Sequence, residues 1–139
     1  MDPFINQIIL TYSITLPEGI SIDTLTGNVY VSFGSSNIVH IYNSSSLLDT
    51  IAVESYQRSF NHFEGDMYII GSGVVYRISG SDFTVQDTFT TAGVDSNSSI
   101  VYDLENESIY VSSSTNVYHI DNGSVSTISP YISGVFDMI

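Results

Sequence analysis

The amino-acid sequence predicts an all-β fold assembled from about three four-stranded antiparallel units, and three observations carry that prediction. Short segments rich in Val, Ile, Tyr, Phe and Thr are bounded throughout by Gly, Ser, Asn or Asp, the pattern of strands and tight turns. Apolar residues alternate or run continuously, and strong helix formers are scarce, so no stretch carries a helical period. The strand pattern also repeats: "TGNVYVSFGSSNIVHIYNSS", "EGDMYIIGSGVVYRISGS" and "NESIYVSSSTNVYHIDNG" align on Tyr30, Tyr68 and Tyr110, which lie 38 and then 42 residues apart.

Each unit holds four strands, a to d. The first, approximately residues 19–55, has its strand a around Ile20, strand b on "NVYVSF", strand c on "IVHIY" and strand d on "LLDTIAV". The second, approximately 56–96, starts at Phe60 and closes with "FTVQDTF"; the third, approximately 97–133, starts at Ile100 and closes with "VSTISPY". In strand c the triplets His40-Ile41-Tyr42, Arg77-Ile78-Ser79 and His119-Ile120-Asp121 are read as occupying matching places. Ahead of the first unit "IILTYSITLPEG" reads as an orphan d strand, and after the last "SGVFDMI" reads as the start of a further strand a. The whole chain, 1–139, is expected to form a single β-repeat domain.

Four-stranded units recurring about every 40 residues are the sequence signature of β-propeller blades. A β-sandwich is the alternative, since it too has many short strands. It gives no reason for strands to recur in matched groups of four. "GISIDTLTGNVYVSFGSSNIVHIYNSSSLLDTIAV", Gly19 to Val53, resembles the YVTN-type, NHL-like propeller repeat, in which a "G-I-A-I-D" strand leads to "T-G-N-V-Y-V" and then "V-x-V-I-D". The two later copies lack the "D-x-x-T-G" approach. The resemblance implies a binding or structural role and brings no catalytic residues with it. Three blades leave a ring open, so closure by self-association is expected, or docking on another surface or capsid protein.

Charge narrows the function classes. The chain has no lysine, only Arg58 and Arg77, and a formal net charge of −13. Nucleic acid is disfavoured because its binding draws on Lys and Arg at the phosphates, and anionic membrane surfaces are disfavoured likewise. No cysteine is present, so disulfides and thiolate chemistry are excluded. The amino-terminal stretch lacks a basic n-region, and no segment reaches the length of a membrane-spanning helix, so membrane insertion is not expected. A charged fraction of 12% beside abundant Ser, Thr, Asn and Tyr gives a neutral, hydrogen-bonding exterior, which points to an extracellular surface or a virion.

Candidate chemical sites each have a plainer reading beside them. Asp23, His62 and Asp103 come from strand a near the axis and contain the ingredients of a hydrolytic set. There is no G-x-S-x-G elbow, and both aspartates open turn-like segments, "DTLTGN" and "DLENES". Glu18, Glu54 and Asp95 follow d strands, where a carboxylate ring would suit a hard cation. Their offsets from the next strand a differ, so solvated loop acids are the preferred reading. His40, Arg77 and His119 are read as partners in blade-to-blade hydrogen bonds or ion pairs, and Tyr30, Tyr68 and Tyr110 as rings filling the space between blades. Asn43, Asn97, Asn106 and Asn122 begin Asn-x-Ser sequons in turns. No catalytic residue, metal or cofactor is expected. A non-catalytic binding or structural module is the favoured function, and a propeller-type hydrolase or lyase the alternative.

Overall fold

The computed structural model describes residues 17–33, 36–53, 60–63 (backbone) and 65–128. Among them lie twelve strands in three separate antiparallel sheets of four. Blade one holds β1 (Gly19–Ile22), β2 (Val29–Phe33), β3 (Ile38–Tyr42) and β4 (Leu47–Ala52). Blade two holds β5 (Phe60–Phe63), β6 (Asp66–Ile70), β7 (Val74–Ile78) and β8 (Val85–Thr90). Blade three holds β9 (Ile100–Asp103), β10 (Ser108–Ser112), β11 (Val117–Asp121) and β12 (Ser124–Ile128). Every sheet is a meander in chain order, because each consecutive pair is joined by a short turn. Residues 8–16 of the orphan d strand expected at 8–19, and all of the segment expected at 133–139, lie outside the described residues; Gly19 already belongs to β1.

The first strands approach one another, β1 to β5 and β5 to β9, which puts strand a innermost. The last strands are the periphery: β4 and β8 each bury one residue, Ile51 and Phe89, and β12 is exposed along its length. A propeller blade buries its two faces against its neighbours, and the apolar layers follow that rule. Between blades one and two, Tyr30, Val39, Ile41 and Ile51 meet Met67, Ile69, Tyr76 and Ile78. Between blades two and three, Tyr68, Ile70, Val75 and Phe89 meet Ile100, Ile109, Val111, Tyr118 and Ile120. Each such side chain stabilises the fold by about 1.5–3 kcal/mol when fully buried, so the layers, not the turns, hold the arc together. Val31, Phe33 and Tyr42 form a third cluster on the face of blade one turned away from blade two.

The strand register confirms one alignment and corrects another. Tyr30, Tyr68 and Tyr110 are equivalent, since each pairs with the same place on strand a, at Ser21, Asn61 and Val101. Across to strand c, however, Tyr68 pairs with Arg77 and Tyr110 with His119, whereas Tyr30 pairs with Ile41. His40 is therefore not the counterpart of Arg77 and His119. The β2–β3 hairpin is two residues longer than its counterparts, and matching His40 by type slips the alignment by one. A one-residue slip moves a strand side chain to the opposite face. Ile41 faces blade two, and His40 faces away from it, beside Phe33 and Tyr42.

Candidate functional site

The residues singled out in the sequence have mostly local roles. Asp23 is 1% exposed and folds its carboxylate back on its own turn, accepting from the Leu25 N–H at 2.9 Å and from the Thr26 hydroxyl. Asp103, the equivalent residue in blade three, accepts from the Glu105 N–H at 3.0 Å and from Asn106 Nδ2 at 2.8 Å. The Asn106 amide and these N–H groups hold its carboxyl below the usual aspartate value. Both are Asx turns joining strands a and b. The side chain of His62 lies outside the described residues.

Of the acid trio, Glu54 lies outside the described residues. Glu18 is half-buried, its N–H bonded to the Ser32 carbonyl at 2.9 Å, and Asp95 caps its turn by accepting from the Asn97 N–H at 2.8 Å. Among the described residues no three His, Asp or Glu side chains gather as metal ligands. The sequon asparagines stand in turns: Asn97, Asn106 and Asn122 are at least partly exposed, and Asn43 is half-buried with its Oδ1 accepting from the N–H groups of Ser45 and Ser46.

Arg77 finds its carboxylate partners within its own blade, where the sequence expectation put such pairs between blades, and His40 and His119 each make a ring contact within theirs. Arg77 places Nε and Nη2 each 2.7 Å from Asp66 Oδ2 and Nη1 3.3 Å from Asp87 Oδ2. All three belong to blade two, and the Asp66 bond holds the guanidinium protonated above its ordinary value. His40 Nδ1 lies 3.0 Å from the Tyr42 hydroxyl, and burial pushes its imidazole below the ordinary histidine value. His119 stacks on Tyr110 with ring centroids 4.7 Å apart, on the face of blade three turned away from blade two. Tyr30 and Tyr68 do fill the spaces between blades, and Tyr110 is half-buried in that stack.

A crevice of about 170 Å³ opens between blades two and three. Asp66, Tyr68 and Arg77 line it from blade two, and Tyr102, Glu107 and Asn122 from blade three. Strand pairing places Asp66 beside Arg77 by way of β6 and β7, while the β9–β10 and β11–β12 turns carry Glu107 and Asn122 to the opposite wall. Phe89, Ile109 and Ile120 form its apolar floor. Glu107 sits at φ 52° and Asn122 at φ 45°, both in the left-handed region. Asparagine tolerates that conformation; glutamate is strained by it. Sequence reasoning passes over Asp66 and Glu107 and takes Asn122 only as a sequon. A signal is present: three residues before the aligned tyrosines stand Gly27, Gly65 and Glu107.

No family model matches the sequence, and no curated protein matches it either. Solved structures do. A hydrazine synthase of Kuenenia stuttgartiensis superposes with a TM-score of 0.69 at 14% identity, over 88% of this chain and 38% of that one. A virginiamycin B lyase from Staphylococcus aureus gives 0.70 at 15%, over 88% and 44%, and the WD40 β-propeller domain of Doa1 gives 0.67 at 12%, over 82% and 40%. The chain thus spans less than half the length of these proteins, two of them enzymes and one a WD40 domain, and shares their fold at identities too low to carry an activity. What the likeness does establish is architectural: the three sheets are β-propeller blades.

Proposed function

We propose that the chain is a non-catalytic binding and structural module of an extracellular surface or a virion, a partial propeller of the YVTN type that completes its ring with a second copy of itself. The observation that carries this reading is the blade count. The described residues form three blades with two buried inter-blade layers, whereas closed propellers generally have four to eight blades. A second copy brings the total to six, and a two-fold arrangement gives each end blade a neighbour. The superposed propellers are each about twice the length of this chain or somewhat more, which supports the reading of this chain as part of a ring. The alternative of a hydrolase or lyase loses support because Asp23 and Asp103 spend their carboxylates on turns.

Light scattering on the purified chain at micromolar concentration tests the reading. A dimer is expected, and a stable, folded monomer overturns ring sharing. Hydrolase and lyase screening of the same sample, with Asp23, His62 or Asp103 replaced by alanine, tests the non-catalytic part: turnover that those changes abolish would establish the rival class.

A further inference from the structure

The repeat supplies its own reference for what an inter-blade crevice looks like when it only packs. Between blades one and two the crevice positions are Asn28, Tyr30 and Ile41 on one wall, with Gly65, Met67, Ile78 and Gly80 on the other. Ile41, Met67 and Ile78 are fully buried there, and the backbones of Gly65 and Gly80 touch. Between blades two and three the same positions carry Asp66, Tyr68 and Arg77 against Glu107, Ile109, Ile120 and Asn122. Four positions change together, from Asn28, Ile41, Gly65 and Gly80 to Asp66, Arg77, Glu107 and Asn122. All four face one cavity. At one of them a glutamate holds the left-handed conformation that glycine takes in the other two blades, at φ 75° and 86°. Strain retained at a cavity wall is a mark of use.

We propose that this crevice binds a single neutral sugar ring. Its volume of about 170 Å³ exceeds the ~150 Å³ of an apolar cavity that holds benzene, and Glu107 and Asn122 are exposed at its wall, so the substituents of a larger ring can reach solvent. The lining mixes acceptors, at Asp66 and Glu107, with donors at Arg77, and the Asn122 amide offers both. A hydroxyl donates and accepts, so a polyhydroxyl ring matches such a wall, while Tyr68 and Tyr102 offer aromatic surface to its C–H face. An anion is opposed by Asp66, Asp87 and Glu107, which outnumber Arg77, in a chain of net charge −13. A cation would meet the Arg77 guanidinium and leave the donors of Arg77 and Asn122 idle.

This deepens the binding-module reading by naming a ligand class, and it does not require ring closure. The test is saturation-transfer NMR on the whole chain with glucose, galactose, mannose, fucose and N-acetylglucosamine, and with tetramethylammonium and inorganic phosphate in separate arms. At least one sugar is expected to receive saturation. Glu107→Gly and Asn122→Gly are each expected to weaken that binding tenfold or more at an unchanged circular dichroism spectrum, because glycine suits both backbone conformations. The proposal is overturned if no sugar binds, if only the ammonium or phosphate probe does, or if sugar binding survives both variants. Light scattering on the same samples reports ring sharing separately, so the two readings fail independently.

Discussion

Gly80 lies so tightly against Gly65 that a Cβ built on it would overlap the Gly65 carbonyl oxygen. The β7–β8 turn of blade two thereby rests on its β5–β6 turn, and the Gly80 N–H also reaches Asp66 Oδ1 at 3.4 Å. No flexible side chain is available to move aside. Gly80→Ala is expected to destabilise the fold by about 3 kcal/mol or more, since two backbones must separate. Gly27→Ala, where a Cβ meets nothing within 4 Å and only the φ of 75° resists, should cost about 1–2 kcal/mol. Urea denaturation of the two variants checks the ranking; equal losses would mean that the turns are not in contact.

Asp23 and Asp103 hold equivalent turns but differ in burial, and that difference sets their worth. Asp23→Ala removes a buried carboxylate and the bonds it accepts from the Leu25 N–H and the Thr26 hydroxyl, and is expected to cost about 1–3 kcal/mol, as hydrogen bonds to a charged group do. Asp103→Ala loses bonds that water can replace and should shift the urea midpoint less. Because hydrogen bonds hold the Asp103 carboxyl below its ordinary value, its contribution is present above the ordinary aspartate pKa and is lost as pH falls through the lowered one. An acid titration followed by circular dichroism should therefore show Asp103→Ala and the parent protein converging at low pH.

The strand pattern is legible because each unit announces its b strand with a tyrosine at a fixed place, and the two Asx turns are legible because aspartate opens both. The face of a strand residue is a finer matter. Period-two geometry makes it depend on hairpin length, and the longer β2–β3 connection puts His40 at the place that matches by residue type and Ile41 at the place that matches by pairing. The crevice is less visible still, since Asp66 and Glu107 are ordinary surface acids until two blades are laid face to face.

That register makes a prediction of its own. Ile41 and Arg77 are equivalent, yet one is fully buried against blade two and the other is paired at a crevice with its side chain 41% exposed. Ile41→Arg should be severely destabilising, by about 3–5 kcal/mol, because it buries a guanidinium without a carboxylate. Arg77→Ile should cost about 1 kcal/mol or less, as expected for exposed ion pairs. Thermal melts of both variants decide it: comparable losses would show that the two positions do not differ in burial.

Tyr30 should be the residue through which alkali weakens the fold. Burial first, and the Asp23 carboxylate second, push its hydroxyl up to about 12 from the ordinary 10.0. A raised value in an acid means that the native state holds its proton where the unfolded chain has released it. The stabilisation is therefore complete below pH 10 and is lost as pH rises toward 12, by about 2–3 kcal/mol in all. Tyr30→Phe should flatten this fall, and Asp23→Asn should lower the Tyr30 midpoint by removing the nearby charge. Urea midpoints measured from about pH 8 to 11.5, a window spanning the ordinary tyrosine value, read the first effect, and ultraviolet difference titration of tyrosinate reads the second. If the pH dependence of Tyr30→Phe matches that of the parent protein, alkaline loss must begin elsewhere, and the Tyr30–Asp23 coupling is not what limits the fold at high pH.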